Sequence, residues 1–182
     1  MSPTPVRRLA APAMVAALAL GLGACSPAET GAAAVVGDRR ITTEQLQSAL
    51  AGLRAGNPEF AQVEGLDRLV LFDLVAEPYL LEAARAAGLG VSPSEAQAAL
   101  TQTPEANPDA LRALQGQIAL NKLTQAQKTQ ELAGVGTALR AAGVTVSPRY
   151  GRFDAQSLTI VDSQANWLVP GPSPSPTATA TP

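Results

Sequence analysis

The chain of 182 residues has no histidine and a single cysteine. Without an imidazole it has no histidine base and no histidine metal ligand, which excludes triads of the Ser-His-Asp type and zinc sites built from Cys and His. With one cysteine no internal disulfide can form, so the fold rests on packing alone. Aromatic residues are sparse at 3%, and the 46% hydrophobic share overstates the core, because much of it is alanine. Neither sign of charge dominates: 13 basic and 15 acidic residues leave no footprint for nucleic acid. No glycine-rich loop follows a strand and opens a helix, so no phosphate cradle is expected. Neither a cofactor nor a metal ion is implied by what remains.

What is present is a strongly patterned amino terminus. Arg7 and Arg8 precede an apolar stretch from Leu9 to Leu22, too short to cross about 30 Å of hydrocarbon as a stable helix. Small residues close it, which is the secretory pattern and not a transmembrane one. The closing Leu22-Gly23-Ala24-Cys25 resembles the bacterial lipobox, in which the cysteine is lipidated and then heads the mature chain. A lone cysteine is otherwise a small buried hydrophobe, but here that reading would bury it in a segment marked for removal. Residues 1–24 are therefore expected to be a signal peptide and Cys25 the lipidation site. No Ser or Thr precedes the paired arginines and no Phe follows, which favours Sec export over the twin-arginine route. The lipobox resemblance implies a diacylglyceryl group on the sulfur and a further acyl chain on the new amino terminus. Two or more chains hold stably where one is marginal. The expected place is the extracytoplasmic face of the cell membrane, reached through the lipid on Cys25.

Residues 25–33 read as a small, polar tether, 34–168 as one domain, and 169–182 as a Pro/Ser/Thr-rich tail too poor in apolar surface to fold. The domain, of roughly 130 to 140 residues, is long enough for a core of its own. Ala34 to Asp38 predicts a short strand ending in a Gly-Asp turn, with Arg39, Arg40 and Ile41 leading straight into a helix. Thr42 and Gln45 form a capping box for that helix, Ile41 and Leu46 a hydrophobic staple, and Gly56 its stop. A central apolar helix is expected from about Glu64 to Ala87, with Pro78 kinking or splitting it near Glu77 and Gly88 closing it. Ser92-Pro93-Ser94-Glu95 predicts a second capping box on a short helix. Asn107 and Pro108 open a helix expected to run to about Ala142. The polar stretch Thr124 to Glu131 is read as a solvated part of that one helix in preference to a loop. Val144-Thr145-Val146 then predicts a strand, and Tyr150 to Val161 a turn and a short extended piece.

This arrangement resembles the N-terminal chaperone domain of SurA-like and PrsA-like foldases. The resemblance is carried by Val35-Val36-Gly37-Asp38, by Ile41-Thr42-Thr43-Glu44-Gln45-Leu46, by Leu80 to Arg85 and by Gly88-Leu89-Gly90-Val91-Ser92. The closing Val146 to Asp154 is similar to the end of lipoproteins of high-GC Gram-positive bacteria. It implies a mainly α, helical domain with a short strand pair joining its N- and C-terminal ends. Family members often insert a parvulin prolyl isomerase domain before the closing segment; here there is no room for it, and its histidines are missing. The expectation is therefore a chaperone module and not an enzyme, anchored in the membrane and binding unfolded or partly folded secreted proteins. Leu69, Phe72, Leu74 and Leu81 are the expected client-binding residues, although each position also suits ordinary core packing. Tyr150, Phe153 and Trp167 are expected to form an aromatic lid on the strand pair. Asp73, Glu77 and Glu82 read as a solvated face and not as paired acid-base catalysts. The alternative reading is a non-catalytic scaffold or accessory subunit of a cell-envelope complex. Neither reading specifies an oligomeric state.

Overall fold

The computed structural model describes residues 31–102, 107–154 and 156–163. The expected signal peptide, Cys25, Trp167 and the 169–182 tail lie outside them. The chain opens with β1 (Ala32–Val36) and β2 (Arg39–Thr42), an antiparallel hairpin pairing Val36 with Arg39 and Val35 with Arg40. Gly37, at φ +55, supplies the positive φ that a two-residue hairpin turn needs at its first position. The sequence reading missed β2: the residues expected to lead straight into the helix first return along β1, because Ile41 has core to cover on that edge.

Helix α1 (Thr43–Gly56) starts at the expected capping box: Thr42 accepts from the Gln45 N–H at 3.0 Å, and the Gln45 side chain accepts from the Thr42 N–H at 2.9 Å. Asn57 then caps a 3₁₀ turn over Pro58–Gln62, accepting from the Glu59 N–H at 3.0 Å. Helix α2 (Leu66–Ala86) crosses the centre of the molecule and touches α1, β1 and later elements on every side. It ends as expected at Gly88, φ +74. There the Leu89 N–H reaches the Ala84 carbonyl at 2.7 Å and the Gly88 N–H the Arg85 carbonyl at 3.1 Å, a Schellman motif.

Pro78 does not split this helix. It removes the N–H that would meet the Leu74 carbonyl, and the Arg39 guanidinium takes that place. Arg39 donates to the Leu74 carbonyl at 2.9 Å and to the Val75 carbonyl at 2.6 Å. A residue of the hairpin thus repairs a defect in the core helix.

Helix α3 (Pro93–Ala98) is capped by Ser92, which accepts from the Glu95 N–H at 3.1 Å. Only that half of the expected box forms, since the Glu95 carboxylate goes to Lys122 of α4 at 2.9 Å. Helix α4 (Pro108–Gln125) opens under Asn107, whose amide also donates to Ser48 of α1 at 2.7 Å. It lies close on α2: a Cβ at Gly116 would stand 2.9 Å from the Asp73 carbonyl, so only glycine permits this approach.

The single helix expected over 108–142 is two. Gln127 turns into the left-handed region at φ +54, the Lys128 N–H bonds the Leu123 carbonyl at 2.9 Å, and α5 (Thr129–Ala142) starts in a new direction. A straight helix of that length would run on the order of 50 Å, well past the diameter of a small domain. The break instead brings Val135 and Leu139 back onto the core beside α2.

After α5 the chain returns to β1. Strand β3 (Val144–Val146) pairs antiparallel with β1, Val36 facing Val144 and Ala34 facing Val146, giving the sheet order β2-β1-β3. Strands β4 (Arg152–Asp154) and β5 (Thr159–Val161) form a separate hairpin. Arg68 of α2 pairs with Asp162 just beyond β5. Tyr150 is buried in the core, and Phe153 packs half-buried against it. The fold is mainly α, with a strand pair joining the two ends of the domain, as the sequence led one to expect.

Candidate functional site

Most large apolar side chains are inside. Among the described residues the exposed exceptions are Leu69, 50% exposed, and Val63, 40% exposed. They stand together at the mouth of a narrow cleft of about 90 Å³. Its walls come from four places: Leu53 of α1, Phe60 in the 3₁₀ turn, Leu66 and Val70 of α2, and Ala113 and Leu114 of α4. Local sequence explains the shape. Asn57 and Pro58 force the 3₁₀ turn, and Gly65 at φ +67 redirects the chain into α2, which folds Phe60 and Val63 over the start of that helix.

Asp73 and Gln117 are the polar groups in the lining. Asp73 is only 9% exposed and is the one buried charged residue among those described. No described side chain bonds or pairs with its carboxyl. Burial pushes that carboxyl up from the usual carboxylate range to about 8. Placing Asp73 on a solvated face is thus corrected. It follows Leu66 and Val70 at helical spacing along the inward stripe of α2, a signal available in the sequence. Glu77, one turn further, is half-buried and held by Arg112 at 3.3 Å and Arg39 at 3.9 Å, while Glu82 is exposed. Burial lowers the pKa of Arg39, and Glu77 opposes that shift.

Of the four residues expected to meet a client, the structure brings Leu69 alone to this cleft. Phe72 and Leu74 are buried in the core, and Leu81 is half-buried against it at a distance along α2. Phe60, Val63, Leu53 and Leu114 were not singled out, because the cleft depends on how α1, α2 and α4 meet. A second, more open groove of about 330 Å³ lies between α2 and α5, lined by Tyr79, Ala83, Val135 and Ala138. Its remaining lining is small residues and the acids Glu82 and Glu131, with no large exposed apolar side chain among the described residues.

Chemically the cleft offers apolar surface and one acid. Covering a side chain of the size of Leu or Val contributes roughly 1.5–3 kcal/mol. Among the described residues no group of His, Cys, Asp and Glu is arranged to hold a metal ion. No described helix is long and apolar enough to cross a membrane.

A family model described as the SurA-like N-terminal domain matches residues 8–133, well over half of the chain. That domain type is chaperone-like and non-catalytic. The match takes in α1 to α4 and the cleft between them, and it ends inside α5, before β3. No curated protein and no solved structure matches the chain.

Proposed function

The chain belongs to the SurA-like N-terminal domain family, and on that premise we propose that it is a membrane-anchored, extracytoplasmic lipoprotein that binds unfolded or partly folded secreted proteins. One observation carries the reading. Among the described residues the large hydrophobic side chains left exposed, Leu69 and Val63, both line one apolar cleft and are not scattered. Exposed apolar side chains are common singly, whereas a grouped set beside a concavity marks a binding surface. Binding by buried area, with few directional groups, suits clients that share exposed apolar segments and no common sequence.

Lipid on Cys25 supplies the location. Five residues lie between it and Gly31, where the described chain begins, a reach of at most roughly 20 Å. The domain would thus work close to the membrane surface, where exported chains emerge.

The test is suppression of aggregation of two unrelated chemically unfolded proteins, with the native chain and with a Leu69→Glu/Val63→Glu double variant. Both positions are surface-exposed, so the variant keeps its fold by circular dichroism. The native chain suppresses aggregation of both clients and the variant loses most of that effect. Equal suppression by the two removes the cleft from the reading. No suppression at all, with one stoichiometric partner recovered by crosslinking in cells, favours a scaffold or accessory subunit instead. Replacing Cys25 with Ala abolishes incorporation of labelled fatty acid; persistent labelling overturns the anchor.

A further inference from the structure

We propose that the cleft selects client segments that present one lysine among apolar residues, the ammonium group meeting the carboxyl of Asp73 at the cleft floor. The proposal rests on the client-binding reading and names what that site recognises. Its basis is an imbalance in the cleft. Asp73 is about nine-tenths buried as a residue in a largely apolar lining, and no described side chain bonds or pairs with its carboxyl. A buried polar group is normally satisfied, and one that is not calls for an explanation. Leu69 and Val63, the exposed members of the same lining, mark its open side.

Charge complementarity decides what that partner is. Neither α1, the 3₁₀ turn nor α4 contributes a charged side chain to the lining; α4 contributes the neutral amide of Gln117. On α2 itself the next acid, Glu77, is already held by Arg39 and Arg112. The cleft therefore carries one acid and no base, which is complementary to a single cation. Shape narrows the choice further. A volume of about 90 Å³ admits one side chain and not a folded element. Lysine fits such a slot because its four-carbon stem is apolar along its length and its charge is compact at the tip. The stem would lie along Leu53, Phe60 and Leu69, with the ammonium at Asp73.

Burial keeps the empty carboxyl protonated at neutral pH. Taking up an ammonium ion then requires that proton to leave for the buffer, so binding and proton release are linked. Mutation of Leu69 would not produce this signature, and neither would a purely structural role for Asp73.

The experiment uses two apolar dodecapeptides that differ at one central position, lysine in one and norleucine in the other, titrated into the full chain at pH 8. The lysine peptide binds about tenfold more tightly than the norleucine peptide. In Asp73→Asn the norleucine affinity stays within about twofold and the lysine preference disappears. Calorimetry of the native protein at pH 7, in two buffers of different ionisation enthalpy, shows close to one proton released for lysine and none for norleucine. This arm needs no variant and stands even if Asp73→Asn does not fold. Equal affinities for the two peptides, a preference that survives in folded Asp73→Asn, or no proton release on lysine binding overturns the lysine proposal and leaves apolar client binding intact. Failure of both peptides to bind overturns the client reading as well.

Discussion

Arg39 donates to the main-chain carbonyl of Leu74 at 2.9 Å, the carbonyl that Pro78 deprives of its helical donor. The bond joins residues 35 positions apart and lets a proline sit inside the central helix without breaking it. A second donation, to Val75 at 2.6 Å, covers the adjacent turn, which the proline ring also crowds.

Arg39→Ala is therefore expected to cost about 2–3 kcal/mol, as for a charged donor removed from partly buried acceptors. In a Pro78→Ala background the helix regains its own N–H, and the cost of the same change should drop by about half. Urea denaturation of the four proteins of this cycle provides the measurement. A penalty equal in both backgrounds would show that Arg39 acts through Glu77 and not through the proline.

Gln127 bears a backbone conformation suited to glycine, φ +54, in the Schellman turn that ends α4. Its side chain is exposed, so Gln127→Gly should raise stability by about 1 kcal/mol through relief of the left-handed strain. A lower urea midpoint in this variant would mean that the turn is not held there in solution.

The hydroxyl of Tyr150 is buried with no hydrogen-bond partner among the described residues. Tyr150→Phe keeps the ring and removes the unsatisfied oxygen, with an expected gain of about 1 kcal/mol. A loss of similar size in thermal or urea unfolding would reveal a partner for that oxygen in solution.

Asp73 retains its proton in the folded chain up to about pH 8 and releases it near 4 when unfolded. Between those values the native state binds more protons, so stability falls as pH rises, with a slope approaching about 1.4 kcal/mol per pH unit. The contribution is fully present below pH 4 and lost through pH 8. Because the chain has no histidine, the interval from pH 5 to 7 is almost free of other titrations. Urea midpoints at pH 5, 6 and 7 should decline in the native chain and stay level in Asp73→Asn. Level midpoints in both would place the carboxyl in contact with water.

These particulars show what sequence alone could and could not convey. Helix starts were legible at Thr42, Ser92 and Asn107 because a cap is a local bond between residues two or three apart, written in neighbouring letters. The meeting of the two ends of the helical domain was legible from two β-like runs flanking the helices. The stop at Gln127 was not, since neither glycine nor proline marks it and the reason for turning lies in the core that α5 must reach. The repair of Pro78 by Arg39 was equally hidden, as was the cleft, because each depends on side chains from separate elements. Asp73 falls between these cases: its spacing from Leu66 and Val70 pointed inward, but its charge argued for solvent.

The pairing of Val36 with Val144 sets a timetable for the molecule. A chain made from its amino end exposes one edge of its first strand until nearly the whole domain has appeared. Closing so long a loop is slow compared with forming the helices inside it. Assembly of the β2-β1-β3 sheet is thus completed by β3, which acts as a latch. Truncation just before residue 144 should leave the helices formed but the body unlocked, a protein that requires the kind of help it is proposed to give.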